Sequence, residues 1–232
     1  MAKKINNPDQ IDPKPLVLFD FDGTIMDTET ALIASYREIF DRHGKELTKD
    51  IIEEASESVP EVIMRKYLSE KKARKYVDEF LFYQQEHLAD LIQPTKHAKR
   101  TLRWLKENGF KTGVVSSRGQ SSLERMLGNA GLSEYLDVIC GDAGGEKISL
   151  LTKDIVRACK ASKKEYCVYV SDSPVNITVA KEAGAYTVAF IEDGMRAMRF
   201  IDAGPDFMTA EFSQIPKLMS SEPYWLAYKV HE

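Results

Sequence analysis

A chain of 232 residues is long enough for one large domain or a domain carrying an insert. Its 43% hydrophobic and 29% charged residues give the ordinary balance of a soluble globular protein. The net charge of −4 offers no electrostatic reason to expect nucleic acid or an anionic membrane as partner, and no apolar run approaches the ~20 residues of a membrane span.

Residues 1–14 are polar and broken by Asn and Pro, and read as a loose leader without the apolar segment of a signal peptide. From there the pattern alternates. Apolar runs of strand length fall at 16–19, 112–115, 138–140, 166–170 and 186–190. Between them lie helical patterns. In the first, 95–109, Ala98, Leu102 and Leu105 share a face, Thr95 is a candidate cap and Gly109 a stop. Single helices between short apolar strands mean βαβ units. The expected fold is α/β, a doubly wound, Rossmann-like parallel sheet covered on both faces. Residues 25–94 break this rhythm, with no strand pattern and two amphipathic helical faces (Leu32, Tyr36, Ile39, Phe40; and Val77, Phe80, Leu81, Gln84, Leu88). They read as an all-helical insert. The expected boundaries are 15–24 and 95–219 for the discontinuous core, 25–94 for the insert, and 220–232 for a tail containing Tyr224, Trp225 and Tyr228. Cys140, Cys159 and Cys167 have no metal-type spacing and read as free thiols, which suits a reducing cytoplasm.

Ligands of open α/β sheets bind at the carboxyl ends of the strands, so the polar residues there matter most. The first strand delivers Asp20 and Asp22, then Gly23 and Thr24. The second delivers Ser116 and Ser117, followed by Arg118. The third leads through "CGDAGGEK" to Lys147. The fourth delivers Asp172, Ser173 and Asn176. Any one of these alone is a turn, a cap or a surface residue. Four strand ends aiming carboxylates, hydroxyls and a lysine at one edge are not explained that way.

The stretch "DFDGTIMDTE" resembles the first signature of the haloacid dehalogenase superfamily in its phosphatase form, Asp-x-Asp-Gly-Thr. Ser116, Lys147 and Asp172 fit the second, third and fourth signatures, and the helical insert falls where phosphoglycolate-phosphatase-like and β-phosphoglucomutase-like members carry a C1 cap. The resemblance implies an aspartyl-phosphate on Asp20, with Asp22 as general acid and base. It implies Mg²⁺ held by Asp20, Asp172 and the backbone carbonyl of Asp22, with Asn176 in the place of a second acid. It further implies that Ser116 and Lys147 contact the transferring phosphoryl group, beside Gly23, Thr24 and Ser117. Lys153 competes for the lysine role, since Ile148 stands where relatives often have proline. Asp22 argues against dehalogenases and phosphonatases, which lack that acid.

The implied activity is hydrolysis of a small phosphorylated metabolite by a monomer or homodimer. A phosphosugar mutase uses the same two aspartates and cap, and a non-catalytic binding protein on this scaffold is a third reading. A phospho-accepting receiver domain fits poorly, because its aspartate lies on the third strand of a shorter chain. For substrate contacts, "SESVPEVIMRK" puts forward Ser58 and Arg65 from the cap, and Arg118 from the core. Arg65 reads equally well as a solvated helix residue, and Arg118 as a cap of the following helix.

Overall fold

The computed structural model describes residues 14–56, 58–142, 152–192, 194–221 and 224–231. The chain enters through β1 (Leu16–Phe19), then β2 (Met26–Asp27), and passes into helices α1 (Glu29–Arg42), α2 (Lys49–Ala55), α3 (Pro60–Ile63) and α4 (Ala73–His87). It returns through β3 (Gln93–Pro94) to α5 (Ala98–Glu107), β4 (Lys111–Gly119), α6 (Gln120–Asn129) and β5 (Val138–Asp142). Then come α7 (Thr152–Ser162), β6 (Cys167–Ser171), α8 (Pro174–Glu182), β7 (Tyr186–Phe190), β8 (Phe207–Thr209) and α9 (Ile215–Ser220).

Six strands form one sheet in the order β5-β4-β1-β6-β7-β8, every pairing parallel. The sheet is buried on both faces because β1 is apolar throughout and β6 at all but its last position. Alternate side chains feed two cores. Val17, Phe19, Val168 and Val170 face the layer holding Leu102, Leu123 and Phe212, while Leu16, Leu18, Cys167 and Tyr169 face Ile155, Ala158 and Ile177. All three cysteines are buried and free. β1 is central, so its carboxyl end opens in the middle of the sheet edge, where the order of connection reverses.

The insert is a helical cap with its own core, built by Tyr36, Ile39, Phe40, Ile63, Val77 and Phe80. Tyr36 and Phe80 pack with ring centroids 4.8 Å apart, joining α1 to α4. One detail departs from the expectation of an insert without strands. β2 and β3 pair antiparallel as a two-residue ribbon, Met26 with Pro94 and Asp27 with Gln93, at the two crossings between cap and core. Thr95 belongs to this junction, donating its backbone N–H to Ile25 O (3.1 Å), and does not cap α5. His97 takes the cap position instead, at φ 70°, and the buried Thr95 hydroxyl has no hydrogen-bond partner. Short β8 lacks an apolar alternation long enough to read from sequence, and adds an edge beyond β7. The basic run from Arg65 to Lys75 is a solvated face whose Arg65, Lys66, Arg74 and Lys75 pair with Glu61, Glu54, Asp78 and Glu79.

The aromatic tail packs onto the core. Trp225 is buried, and the Tyr228 hydroxyl donates to Asp206 Oδ1 (2.7 Å) while its ring meets Tyr186 edge-on. Val230 N–H and His231 N–H donate to Glu165 O and Ala183 O. Trp225→Ala should therefore destabilise the whole fold by about 3 kcal/mol, the usual loss for a buried aromatic. Urea unfolding followed by circular dichroism measures this, and an unchanged midpoint would mean the tail is not part of the core.

Candidate active site

β1 ends in "FDFDGT" because the apolar run meets a turn that only glycine completes. Gly23 adopts φ 63°, and a Cβ there would lie 2.1 Å from Asp172 Oδ2. The turn folds back through Ile25 N–H to Asp20 O (3.3 Å) and Met26 N–H to Phe21 O (3.0 Å). Asp20 and Asp22 are thereby brought to one cavity while Phe21 between them is buried in the core.

The Asp20 carboxylate is buried and closely held. Oδ1 accepts from Phe21 N–H (2.7 Å); Oδ2 accepts from the Ser171 hydroxyl (2.8 Å) and from Asn176 Nδ2 (2.6 Å). Asp172 follows β6 and shares two bonds with Thr24, whose hydroxyl donates to Asp172 Oδ1 (2.8 Å) and accepts from Asp172 N–H (2.9 Å). Ser173 caps α8 by accepting from Asn176 N–H, and this places the Asn176 side chain one turn in, facing Asp20. Ser116 and Ser117 lie where β4 shifts register against β5, between Val115 and Gly119, and both line the cavity. Ser116 is buried, its hydroxyl accepting from Arg118 N–H (3.2 Å).

Asp22 turns toward Arg118. Nε donates to its Oδ2 and Nη2 to its Oδ1, each at 2.7 Å, a two-pronged pair. Arg118 Nη2 also donates to Oε1 of Gln84 on α4 (2.9 Å), so the guanidinium joins core to cap.

Burial raises the carboxyl pKa values. Asp20 is pushed up to about 6, chiefly by loss of water and further by the Asp22 charge, against the lowering hydrogen bonds from Ser171 and Asn176. Asp172 is pushed up to about 7 by burial and then by the charge of Asp20. Two buried carboxylates that repel one another favour a nearby cation by charge. The donor set is all oxygen, which suits a hard ion such as Mg²⁺. Among the described residues no group of three or more His, Cys, Asp or Glu is arranged to hold a metal. Mg²⁺ suits such a site, because it keeps several waters and needs only one or two carboxylates.

Several sequence-predicted residues thus meet: Asp20, Asp22, Gly23, Ser116, Ser117, Arg118, Asp172, Asn176 and, from the cap, Ser58 all line one cavity of about 650 Å³. Thr24 does not line it. It is fully buried and holds Asp172, so its expected phosphate contact is corrected to a support. Arg65 does not line it either. Beyond α3 the chain continues through one wide helical turn, Met64–Leu68, that leaves Arg65 exposed and paired with Glu61 (2.7 Å), while Val59, Pro60 and Val62 face the cavity. Arg118 binds the Asp22 carboxylate rather than capping α6. Lys147 lies outside the described residues. Sequence reading missed Ser171, a polar residue closing an apolar run, and Gln84, a buried amide within an apolar helical face.

A parallel α/β core with paired aspartates at the tip of its central strand, roofed by a helical cap, defines a hydrolase class. The chain belongs to the haloacid dehalogenase-like hydrolase family, whose profile matches residues 17–190. It is similar to the pyrophosphatase PpaX of Halalkalibacterium halodurans, 28% identical over 198 residues covering 83% of this chain and 90% of the relative. The pyrophosphatase PpaX of Bacillus cereus is 23% identical over 210 residues, 88% of this chain and 96% of its own. Among solved structures, a haloacid dehalogenase-like family hydrolase of Streptococcus pneumoniae superposes with a TM-score of 0.79 at 15% identity, over 89% of this chain and 98% of that one.

The raised pKa values give a stability test. Folded Asp172 holds its proton more tightly than the ordinary value of 3.8, so its contribution to stability is full below that pH and is lost as pH rises through about 7. In chelator at pH 8, Asp172→Asn should raise Tm by about 2–4 °C, the shift that ~1 kcal/mol produces in a chain of this size. At pH 4 the gain should vanish. Calorimetry that finds the same difference at both pH values would contradict the electrostatic account.

Proposed function

We propose that this chain is a Mg²⁺-dependent phosphatase that hydrolyses a small phosphorylated metabolite through an aspartyl-phosphate on Asp20. The observation that carries the reading is a buried carboxylate fixed at the strand tip, open to a capped cavity and flanked by Asp22 and Asp172. Asp20, Asp172 and the backbone carbonyl of Asp22 would hold the ion. When bound, it supplies positive charge that neutralises phosphate oxygens and lowers the repulsion between the carboxylates.

The remaining chemistry falls to the chain. Bonds from Phe21 N–H, Ser171 and Asn176 keep Asp20 from rotating, which holds it in line with phosphorus. Asp20 attacks, the bond from phosphorus to the leaving oxygen breaks, and Asp22 gives that oxygen its proton. Asp22, now ionised, takes a proton from the water that attacks the aspartyl-phosphate, releasing phosphate and restoring both residues. Ser116 donates to a phosphoryl oxygen, and Lys147 adds positive charge. Gly23 lets the turn pass close to Asp172. The cap roofs the cavity and excludes water, with Ser58 as its candidate polar contact to the leaving group.

The two relatives are named pyrophosphatases, which puts pyrophosphate among the substrates to be tested. The same cavity is also lined by Asp27, Glu29 and Glu192, with Arg196 joined to Glu29. That acidic lining favours a monoester with a neutral organic group over a second phosphate. Phosphate release across a panel of metabolites, with pyrophosphate included, separates these substrates and distinguishes hydrolysis from phosphoryl transfer between sugar hydroxyls.

Asp20→Asn should abolish Mg²⁺-dependent turnover of p-nitrophenyl phosphate while the protein stays folded, since an amide forms no acyl-phosphate. More than trace activity in a clean preparation would overturn the assignment. Asn176→Asp should lower the Mg²⁺ concentration for half-maximal rate by ~10-fold, in the range of changes around a metal ligand. It should also lower Tm in chelator, because a third carboxylate replaces the amide that now donates to Asp20. Unchanged activation and Tm would remove Asn176 from the site.

A further inference from the structure

Beyond Asp20, Asp22 and Asp172, the same cavity is lined by a second set of carboxylates. Asp27 comes from β2, Glu29 from the start of α1, and Glu192 from just past the end of β7. The two sets are electrostatically distinct. Asp22 acts on Asp20 and both act on Asp172, whereas the charges acting on Glu192 are those of Asp27, Glu29 and Lys96. Partial burial holds the Glu192 carboxyl above its ordinary value; Asp27 and Glu29 raise it further, against the lowering charge of Lys96. Glu29 has a cation of its own, since Arg196 Nη2 donates to its Oε1. Among the described residues, neither Asp27 nor Glu192 forms an ion pair. Asp27 Oδ1 accepts from Glu29 N–H (3.3 Å), and Oδ2 has no protein partner.

Exposed acidic side chains are ordinarily just solvated. Here the same wall also holds a buried polar group without a partner. Thr95 lines the cavity and is 4% exposed, yet its hydroxyl makes no hydrogen bond. It follows β3, whose ribbon partner β2 carries Asp27, and its backbone N–H is fixed to Ile25 O. A buried hydroxyl in this position is costly unless a polar group of a bound molecule satisfies it.

We propose that Asp27, Glu192 and Thr95 form a subsite for a protonated amine on the leaving alcohol, so that the substrate is the phosphate monoester of a small amino alcohol. The inference deepens the phosphatase reading and rests on it. In that reaction the phosphate lies against Asp20, and the rest of the ester occupies the remainder of the cavity, where Leu32, Val62 and Phe200 also stand. An acidic wall that disfavours a second phosphate favours a cation over a neutral group. The ammonium meets Asp27 and Glu192 by charge, and one of its N–H groups donates to the Thr95 hydroxyl oxygen.

The test compares aminoethyl phosphate with propyl phosphate, which replaces the ammonium by a methyl group of similar size. With saturating Mg²⁺, the ratio of their kcat/KM values isolates the terminal group within one protein. Asp27→Asn combined with Glu192→Gln keeps the shape and removes both charges. It should lower the ratio by ~5-fold, the combined effect of two partly exposed charges. Both side chains are exposed, so the fold should survive. Thr95→Val removes only the unpartnered hydroxyl and should lower the ratio by ~3-fold, the loss of one hydrogen bond. An unchanged ratio in either protein would overturn the inference. So would a wild type that turns over p-nitrophenyl phosphate but not aminoethyl phosphate. Either result leaves the phosphatase reading intact. Absence of Mg²⁺-dependent turnover of p-nitrophenyl phosphate would overturn both.

Discussion

Asp20, Asp22 and Asp172 carry like charge into one cleft, and most of the site is arranged around that repulsion. Burial pushes Asp20 to about 6 and Asp172 to about 7, so without a cation the pair resists full ionisation near neutrality. Each carboxylate is given its own restraint. Ser171 and Asn176 hold Asp20, Thr24 holds Asp172, and Arg118 holds Asp22. Gly23 is required because the turn that gathers the acids runs against Asp172. In the proposed reaction, the same repulsion that weakens the fold makes a place for Mg²⁺ and for phosphate held against it.

The cap adds a second layer of control. Its own aromatic core makes it a rigid unit joined to the sheet by a two-residue ribbon. Its contacts with the core include Ala31, Leu88 and Ile92 packed into the core cluster, exposed ion pairs at the rim, which salt screens, and the buried Gln84–Arg118 bond, which it does not.

The parallel sheet and helical insert were legible because central strands buried on both faces read as unbroken apolar runs, and Asp20, Asp22, Ser116 and Asp172 stand at their ends. What escaped the sequence depended on three-dimensional neighbours. Gln84 is one polar residue in an apolar stripe, and nothing local distinguishes it from an exposed flank. Arg65 lies seven residues from Ser58, but the wide turn after α3 rotates it to solvent. Thr24 follows the glycine as family phosphate contacts do, yet its hydroxyl is used by Asp172, 148 positions away. Thr95 has the chemistry of a helix cap, and its backbone is instead committed to the ribbon junction.

The account turns on which carboxylate becomes phosphorylated. Borohydride reduces an acyl-phosphate to the alcohol, so quenching steady-state turnover with it marks the reacting aspartate, and peptide mass spectrometry locates the mark. The account predicts homoserine at position 20, dependent on substrate and on Mg²⁺, with Asp22 and Asp172 unaltered. A mark on either of those residues, or turnover at full rate with none on Asp20, would contradict it.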